Sequence, residues 1–425
     1  MAGEQRSGQS MIGRGCGAVL VVLLAAFIAI GCVRPASAAD PAFRRWLQEL
    51  WPDAQKLGVS RATFDAAAAG LEPDLSLPDL VVPGRPDKPP RGQAEFVQTP
   101  EQYLRERTLA SLAAEGRKLF AKHRDTLNRI ERRYGVPGPV VVAIWGRETA
   151  FGSYKLPHDA ITVLATQGFY GKRKDFFRNE FLYALKMLQD GVPRADMRAS
   201  WGGALGMTQF LPSEFYRHAV DFDGDGRADI WRSMPDALAS AAQQLAHKGW
   251  QAGHHWAYEV KVPKGTDCTI ADPDHLRPLK DWLAAGYVPA AKKPLPADLA
   301  EPASLLMPAG LFGPAFLILK NYYVIKNYNF SDLYVLFVGN VSDRIAGGGP
   351  FATPWGKIVQ LRTADLEEMQ RRLAALGLYR DKIDGKAGMR TRLALGAYQK
   401  VEGLTLDCWP DAAVLEHLRA ESQAR

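Results

Sequence analysis

The chain has 425 residues, of which 47% are hydrophobic and 23% charged. That is an ordinary globular composition, long enough for two or three domains with cores of their own. The formal charge is +7 and the isoelectric point about 9.1, which suits an anionic partner, but no Lys/Arg block exceeds a few residues, so a nucleic-acid partner is not expected.

The chain opens with a targeting pattern. Arg6 and Arg14 precede an apolar stretch from Ala18 to Ile30, and Ala36-Ser37-Ala38 reads as a small-residue cleavage site. The apolar run is short for a membrane span, so residues 1–38 are expected to be a signal peptide. Ala29-Ile30-Gly31-Cys32 is an imperfect lipoprotein box, so membrane anchoring through Cys32 competes with plain cleavage after Ala38. Both readings export the mature chain. Cys16 and Cys32 fall in this region, which leaves Cys268 and Cys408. No Cys/His spacing points to a metal, and two unpaired buried thiols or a disulfide both fit.

From Asp40 onward, Phe43, Trp46, Leu47, Leu50, Ala54 and Leu57 recur at helical spacing, and Ser60 is placed to cap a helix through Phe64. Residues 73–100 are Pro-rich and irregular. A helical stretch follows from Glu101 to Tyr134. Pro137-Gly138-Pro139 then opens a dense apolar run from Val140 to Trp145, which predicts a buried helix stopping at Gly152. Glu148 lies one turn beyond Ile144 and Trp145 and shares their face. A carboxyl on an apolar face loses hydration, which favours its protonated form. A protonated Glu in a cleft is the general acid that glycosidic cleavage needs. The plain alternative is a solvated Glu, or one paired with Arg147 or Lys155.

Residues 159–190 predict two more helices, Ala160 to Thr166 and Asp175 to Gln189. Between them Lys172-Arg173-Lys174 is either a solvated turn or a contact for anionic substituents. In Ser200-Trp201-Gly202-Gly203-Ala204-Leu205-Gly206-Met207-Thr208-Gln209-Phe210, the glycines permit close backbone approach. Gln209 offers a donor and an acceptor to a sugar amide or hydroxyl; a tight turn between helices is the other reading. Asp221, Asp223 and Asp225, with glycines between them, match the first part of an EF-hand calcium loop. Arg227 would add a backbone carbonyl and Asp229 a direct or water-mediated oxygen. Arg232 stands where the closing Glu belongs. Asp236 either closes an enlarged loop or caps the helix Ala237–His247. A structural Ca2+ is the expected ion, and no cofactor is expected for catalysis.

Residues 250–300 predict a small, partly β subdomain with a strand at Tyr258–Val262. Helix is expected again over Pro314–Asn321, Tyr322–Tyr328 and Ser331–Asn340. The Tyr and Asn residues around Tyr328 and Asn329 suit stacking on sugar rings, or packing in a core. Gly347-Gly348-Gly349-Pro350 begins a linker. In the tail, Leu366, Met369, Leu373 and Leu376 share a helical face, and three helices without an obvious catalytic group read as a binding module.

In combination these motifs resemble the lytic murein transglycosylase B family. The resemblance rests on Trp145-Gly146-Arg147-Glu148-Thr149-Ala150-Phe151-Gly152, on Gly203 to Ser213, on Tyr328-Asn329 and on Asp343-Arg344-Ile345-Ala346-Gly347-Gly348-Gly349-Pro350. The tail, with Gln370, Asp384-Gly385, Thr391-Arg392 and Tyr398-Gln399, is similar to the common peptidoglycan-binding domain, although Cys408 stands where that family often has Gly.

The resemblance implies a mainly α, α+β fold: a lysozyme-like catalytic domain over 39–346, a linker over 347–362 and a three-helix peptidoglycan-binding domain over 363–425. It implies cleavage of the β-1,4 bond between N-acetylmuramic acid and N-acetylglucosamine, leaving a 1,6-anhydromuramyl end, in the periplasm, by a monomer acting on glycan strands. Glu148 is then the sole acid and base, and no second carboxylate motif is evident. Ser200, Gln209, Tyr328 and Asn329 match cleft positions, Lys172 and Arg173 match more loosely on the peptide side, and Tyr103 is a further cleft residue. A non-catalytic wall-binding scaffold and a lysozyme-like hydrolase are the alternatives.

Overall fold

The computed structural model describes residues 40–85, 94–290, 294–296 and 298–424. The expected signal peptide, its cleavage site and Cys32 lie outside these residues. Among the described residues, no helix is long and apolar enough to cross a membrane.

Two apolar cores meet along a seam. At the centre of the first runs the helix Gly138–Thr149, in which every residue from Val140 to Gly146 is buried. A helix that is apolar all round has to be enclosed. Here the helices Glu106–Lys122, Arg124–Tyr134, Met234–His247 and Asp332–Ile345 enclose it. The second core packs Pro41–Glu49, Trp51–Lys56 and Arg61–Ala68 against Ala160–Tyr170 and Lys174–Gln189. Ser60 caps Arg61–Ala68 as expected, its hydroxyl accepting from the Thr63 amide at 3.2 Å. Met207 and Tyr328 pack against both cores and so mark the seam.

Two expectations change. The stretch Glu101–Tyr134 is not one helix but three pieces, Pro100–Tyr103, Glu106–Lys122 and Arg124–Tyr134. The stretch contains no Pro and one Gly, so nothing in its composition marks the breaks at Arg105 and His123. The helix expected over Pro314–Asn321 is instead the strand Ala315–Ile318. It lies in the middle of a five-stranded antiparallel sheet in the order 277–278, 302–306, 315–318, 257–261, 288–289. Leu317 pairs with Leu305 on one side and with Tyr258 on the other. A strand buried on both faces reads as a continuous apolar run, which periodicity alone does not separate from helix.

The C-terminal helices Thr363–Ala375, Met389–Val401 and Ala412–Ala424 enclose their own core, with Met369, Leu373, Leu395, Tyr398, Leu415 and Leu418. This unit is stitched to the rest. Cys268 and Cys408 form a disulfide across 140 residues of sequence, which settles the choice the sequence left open. Cys408 has φ +56°, in the left-handed region that favours glycine. Gly310 lies against the same turn. A Cβ on Gly310 would come 2.1 Å from the Asp407 carbonyl, so only glycine lets the two backbones meet.

Candidate active site

The Glu148 helix ends at the seam. Its last turn passes into Ala150, Phe151 and Gly152, with φ of +46°, +59° and +78°. Two non-glycine residues in succession in that region are costly and are held only where packing over-determines them. Thr149 supplies part of the hold, its hydroxyl donating to the Met207 carbonyl at 2.7 Å and accepting from the Gly152 amide at 3.1 Å. The Phe151 ring supplies the rest by packing edge-on to Trp145. The side chain of Glu148, on the last full turn, is thereby fixed at the seam.

Around the Glu148 carboxyl stand five polar groups from five segments. The Tyr334 hydroxyl, on the helix Asp332–Ile345, donates to Oε1 at 2.5 Å. The Tyr328 ring lies parallel to that of Tyr334, with centroids 6.4 Å apart, and its hydroxyl donates to the Thr208 carbonyl. Arg147 lies beneath, its guanidinium over the rings of Tyr334 and Phe337. Its Nη2 and Nε donate to the Tyr103 hydroxyl at 2.7 and 3.2 Å. Glu95, on the short helix Ala94–Val97, accepts from Asn329 Nδ2 at 3.2 Å.

Desolvation among these rings raises the Glu148 pKa above the usual carboxylate range. The Tyr334 hydrogen bond and the Arg147 charge oppose the rise, and the Glu95 charge adds to it. The result is a carboxyl whose protonated form is favoured by burial and whose ionised form is supplied with a donor and a cation. A group that gives up a proton and takes one back needs both.

The expected residues are placed as follows. Tyr328 and Asn329 stand beside Glu148, the one through its ring and the other through Glu95. Gln209, at φ +58°, folds its Nε2 back onto the Gly206 carbonyl at 3.1 Å. The Ser200 hydroxyl accepts from the Ala204 amide at 3.2 Å. Gly203 and Gly206 both have positive φ, and Leu164 and Ile230 fill the space a Cβ would need. The expected close approach is therefore real. Tyr103 is 8% exposed and its hydroxyl is engaged by Arg147. Its place is behind the acid rather than along an open cleft, and burial pushes its pKa up to about 12. Lys172 and Arg173 are exposed, and Arg173 lies over Phe176 and Phe177. No hydrogen bond or ion pair described joins either of them to the Glu148 surroundings.

Three residues around the acid were not anticipated in these positions, Tyr334, Thr149 and Glu95, while Arg147 was foreseen as a partner of Glu148 in the plain reading. Tyr334 sits in the run Leu333-Tyr334-Val335-Leu336-Phe337, which reads as core. Glu95 sits in the Pro-rich stretch that gave no pattern. A cavity of about 470 Å3 opens beside Glu95, between the segment 95–100 and the C-terminal unit, with Phe330 at its edge.

In the acidic loop, the carboxylates of Asp221, Asp223 and Asp236 come within 4.8 Å of one another. Asp236 is fully buried and accepts from the amides of Phe222, Asp223 and Asp229 at 2.8 to 3.2 Å. Of the two readings left open for it, the helix cap is the Ser233 hydroxyl, and the Asp236 carboxylate instead ties the loop together through those amides. Asp225 instead accepts from the Arg227 amide at 2.9 Å and lies outside the converging set. Three hard oxygen donors at that spacing fit a Ca2+ ion.

Fold and site together define a mainly helical, lysozyme-like protein built around one desolvated glutamic acid. The chain belongs to the Transglycosylase SLT domain family, whose model matches residues 42–343. A second family model, that of a peptidoglycan binding domain, matches residues 362–418. The crystal structure of SltB3 from Pseudomonas aeruginosa in complex with NAG-NAM-pentapeptide is similar at 40% identity and a TM-score of 0.79, covering 88% of this chain and 99% of that one. The membrane-bound lytic murein transglycosylase B of Escherichia coli is 31% identical over 189 residues, 44% of this chain. The chain spans about half the length (51%) of that curated relative. The Escherichia coli lytic transglycosylase Slt35, in a structure with calcium, shares the fold at 24% identity and a TM-score of 0.55, over 72% of this chain and 93% of that one.

Proposed function

We propose that this protein is a peptidoglycan lytic transglycosylase with Glu148 as its acid and base. The observation that carries the reading is the Glu148 carboxyl, desolvated at the seam with a donor from Tyr334. Protonated Glu148 gives its proton to the glycosidic oxygen as the bond from the muramyl anomeric carbon breaks. The muramyl C6 hydroxyl attacks that carbon, and the Glu148 carboxylate takes the hydroxyl proton. The products are a 1,6-anhydromuramyl end and a free N-acetylglucosamine hydroxyl. Charges and atoms balance without water. Tyr334 and Arg147 stabilise the carboxylate between the two transfers.

Ser200, Gln209, Tyr328 and Asn329 are read as lining the sugar site. The convergence of Asp221, Asp223 and Asp236 supports a structural Ca2+ there, held away from the chemistry, and peptidoglycan as the substrate, with the expected signal peptide, supports work in the periplasm. The C-terminal unit binds the same polymer. The resemblance of SltB3 in a complex carrying a NAG-NAM unit supports the substrate class.

Glu95 supports a second reading. A carboxylate near the acid is what a hydrolase needs to activate water or to form a covalent intermediate. Its hydrogen bond to Asn329 and its 9% exposure favour a fixed, supporting role instead. The test is digestion of purified sacculi by wild type and Glu148→Gln, with mass spectrometry of the fragments. Anhydro ends from wild type alone support the transglycosylase; reducing ends from wild type support the hydrolase; fragments at equal rates from both proteins would remove Glu148 from the chemistry.

A further inference from the structure

The C-terminal unit does more than touch the catalytic half; it reaches the base of the helix that carries Tyr334. That helix begins at Asp332, two residues before the hydroxyl donor to Glu148. Asp332 is buried, and three donors surround it. The Tyr322 hydroxyl and Lys326 Nζ each donate to Oδ1 at 2.6 Å, and Arg392 Nη2, from the C-terminal helix Met389–Val401, donates to Oδ2 at 3.2 Å. Asp332 and Arg392 side chains are both 8% exposed. Lys326 and Arg392 hold the Asp332 carboxyl far below the usual carboxylate range, against its burial. Arg392 is anchored on its own side, Nη1 donating to the Ala387 carbonyl.

The same stretch of the C-terminal unit supports a second side of the site. Lys386 Nζ lies 3.8 Å from the centre of the Phe96 ring, one residue from Glu95, which Asn329 engages. Met389 is built into the apolar core of the Glu148 helix. The ion pairs Arg390–Asp274 and Lys400–Asp267 and the Cys268–Cys408 disulfide fix the unit in that orientation.

We propose that Arg392 is a positioning residue for the reaction: through Asp332 it sets the helix from which Tyr334 donates to Glu148, so that the wall-binding unit is part of the catalytic scaffold. The inference rests on the reading of Glu148 as the acid. Loss of Arg392 leaves Lys326 and Tyr322 on Oδ1 but strips buried Oδ2 of its donor, and a desolvated carboxylate oxygen without a partner draws the structure into relaxing to satisfy it. Here the relaxation starts at the first turn of the Tyr334 helix. The groups that face Glu148 are Arg147 from its own helix, Tyr334 and Tyr328, Tyr103 and Glu95. Of these, Tyr334 is carried by the helix that Asp332 begins and bonds to Glu148 directly, so its donation is what the loss of Arg392 weakens first.

The test is the pH profile of turnover on purified peptidoglycan, using the full chain. Tyr334→Phe removes a bond that favours ionised Glu148, so the alkaline limb moves to higher pH and kcat falls roughly tenfold, as for one lost hydrogen bond to a charged group. Arg392→Gln is expected to move the limb the same way, by less, and to lower kcat with KM and sacculus binding unchanged. The double variant is expected to match Tyr334→Phe alone. Arg392→Lys, which keeps the charge, is expected to fall between Arg392→Gln and wild type, and it carries the test if the glutamine variant does not fold. A wild-type limb and kcat in the foldable Arg392 variant, or a loss confined to KM or sacculus binding, overturns the proposal. Inactivity of the wild type, or activity that survives Glu148→Gln, would instead sink the reading of Glu148 and is read from the same plates.

Discussion

The central residue is stabilised for chemistry at a cost to the fold. In the unfolded chain Glu148 has an ordinary carboxyl pKa near 4.3; in the folded one desolvation raises it. The folded state therefore holds a proton that the unfolded state gives up. Stability contributed by this group is full below the unfolded value, declines as pH rises toward the folded value, and stays lower above it. Glu148→Gln removes that penalty while leaving a group that Tyr334 can still contact. Its melting temperature is expected to match wild type at pH 4 and to exceed it at pH 7.5. Calorimetry at the two pH values checks this, and a variant that melts lower at pH 7.5 would mean that Glu148 is ionised and well paired in the native state.

At the scale of elements, the acidic loop makes a second prediction. Asp221, Asp223 and Asp236 converge while loop amides already satisfy much of their capacity. The loop is thus preformed, and an ion binding there adds to the native state alone. Millimolar Ca2+ is expected to raise the melting temperature by a few degrees over a chelator-treated sample, and Asp236→Asn to abolish the difference. An equal rise in that variant would place the ion elsewhere. The loop was legible in the sequence because alternating Asp and Gly is a local code. So was the Glu148 helix, because the Pro137-Gly138-Pro139 opening and the Gly152 stop bound a stretch longer than a usual strand. The strand Ala315–Ile318 was not, because a four-residue apolar run is compatible with either element and only its neighbours at 257–261 and 302–306 decide. Tyr334 and Glu95 were not legible for a related reason. Each comes to Glu148 from far along the chain, one inside a run that reads as core and the other inside a run that reads as loop.

The whole molecule is held as one body by a covalent bond and a set of ion pairs that no local pattern announces. Cys268 and Cys408 are 140 residues apart, and nothing in either segment names the other. A cross-link closing so long a loop removes much unfolded-state entropy, worth on the order of 3–5 kcal/mol. Reduction, or Cys268→Ser with Cys408→Ser, is expected to lower stability by about that amount in denaturant titration. A double serine variant as stable as the oxidised wild type would show that noncovalent contacts suffice to hold the C-terminal unit in place.

The most direct test of the whole account concerns where the new oxygen bond at the muramyl anomeric carbon comes from. Sacculi digested by the wild-type protein in heavy-oxygen water, with the muramyl ends read by mass spectrometry, give that source. Attack by the C6 hydroxyl, with Glu148 giving one proton to the leaving oxygen and taking the other from that hydroxyl, predicts anhydro ends that carry no heavy oxygen. Muramyl ends formed with one heavy oxygen at the anomeric carbon would mean that water attacked, with Glu95 or another carboxylate as its base, and would contradict it.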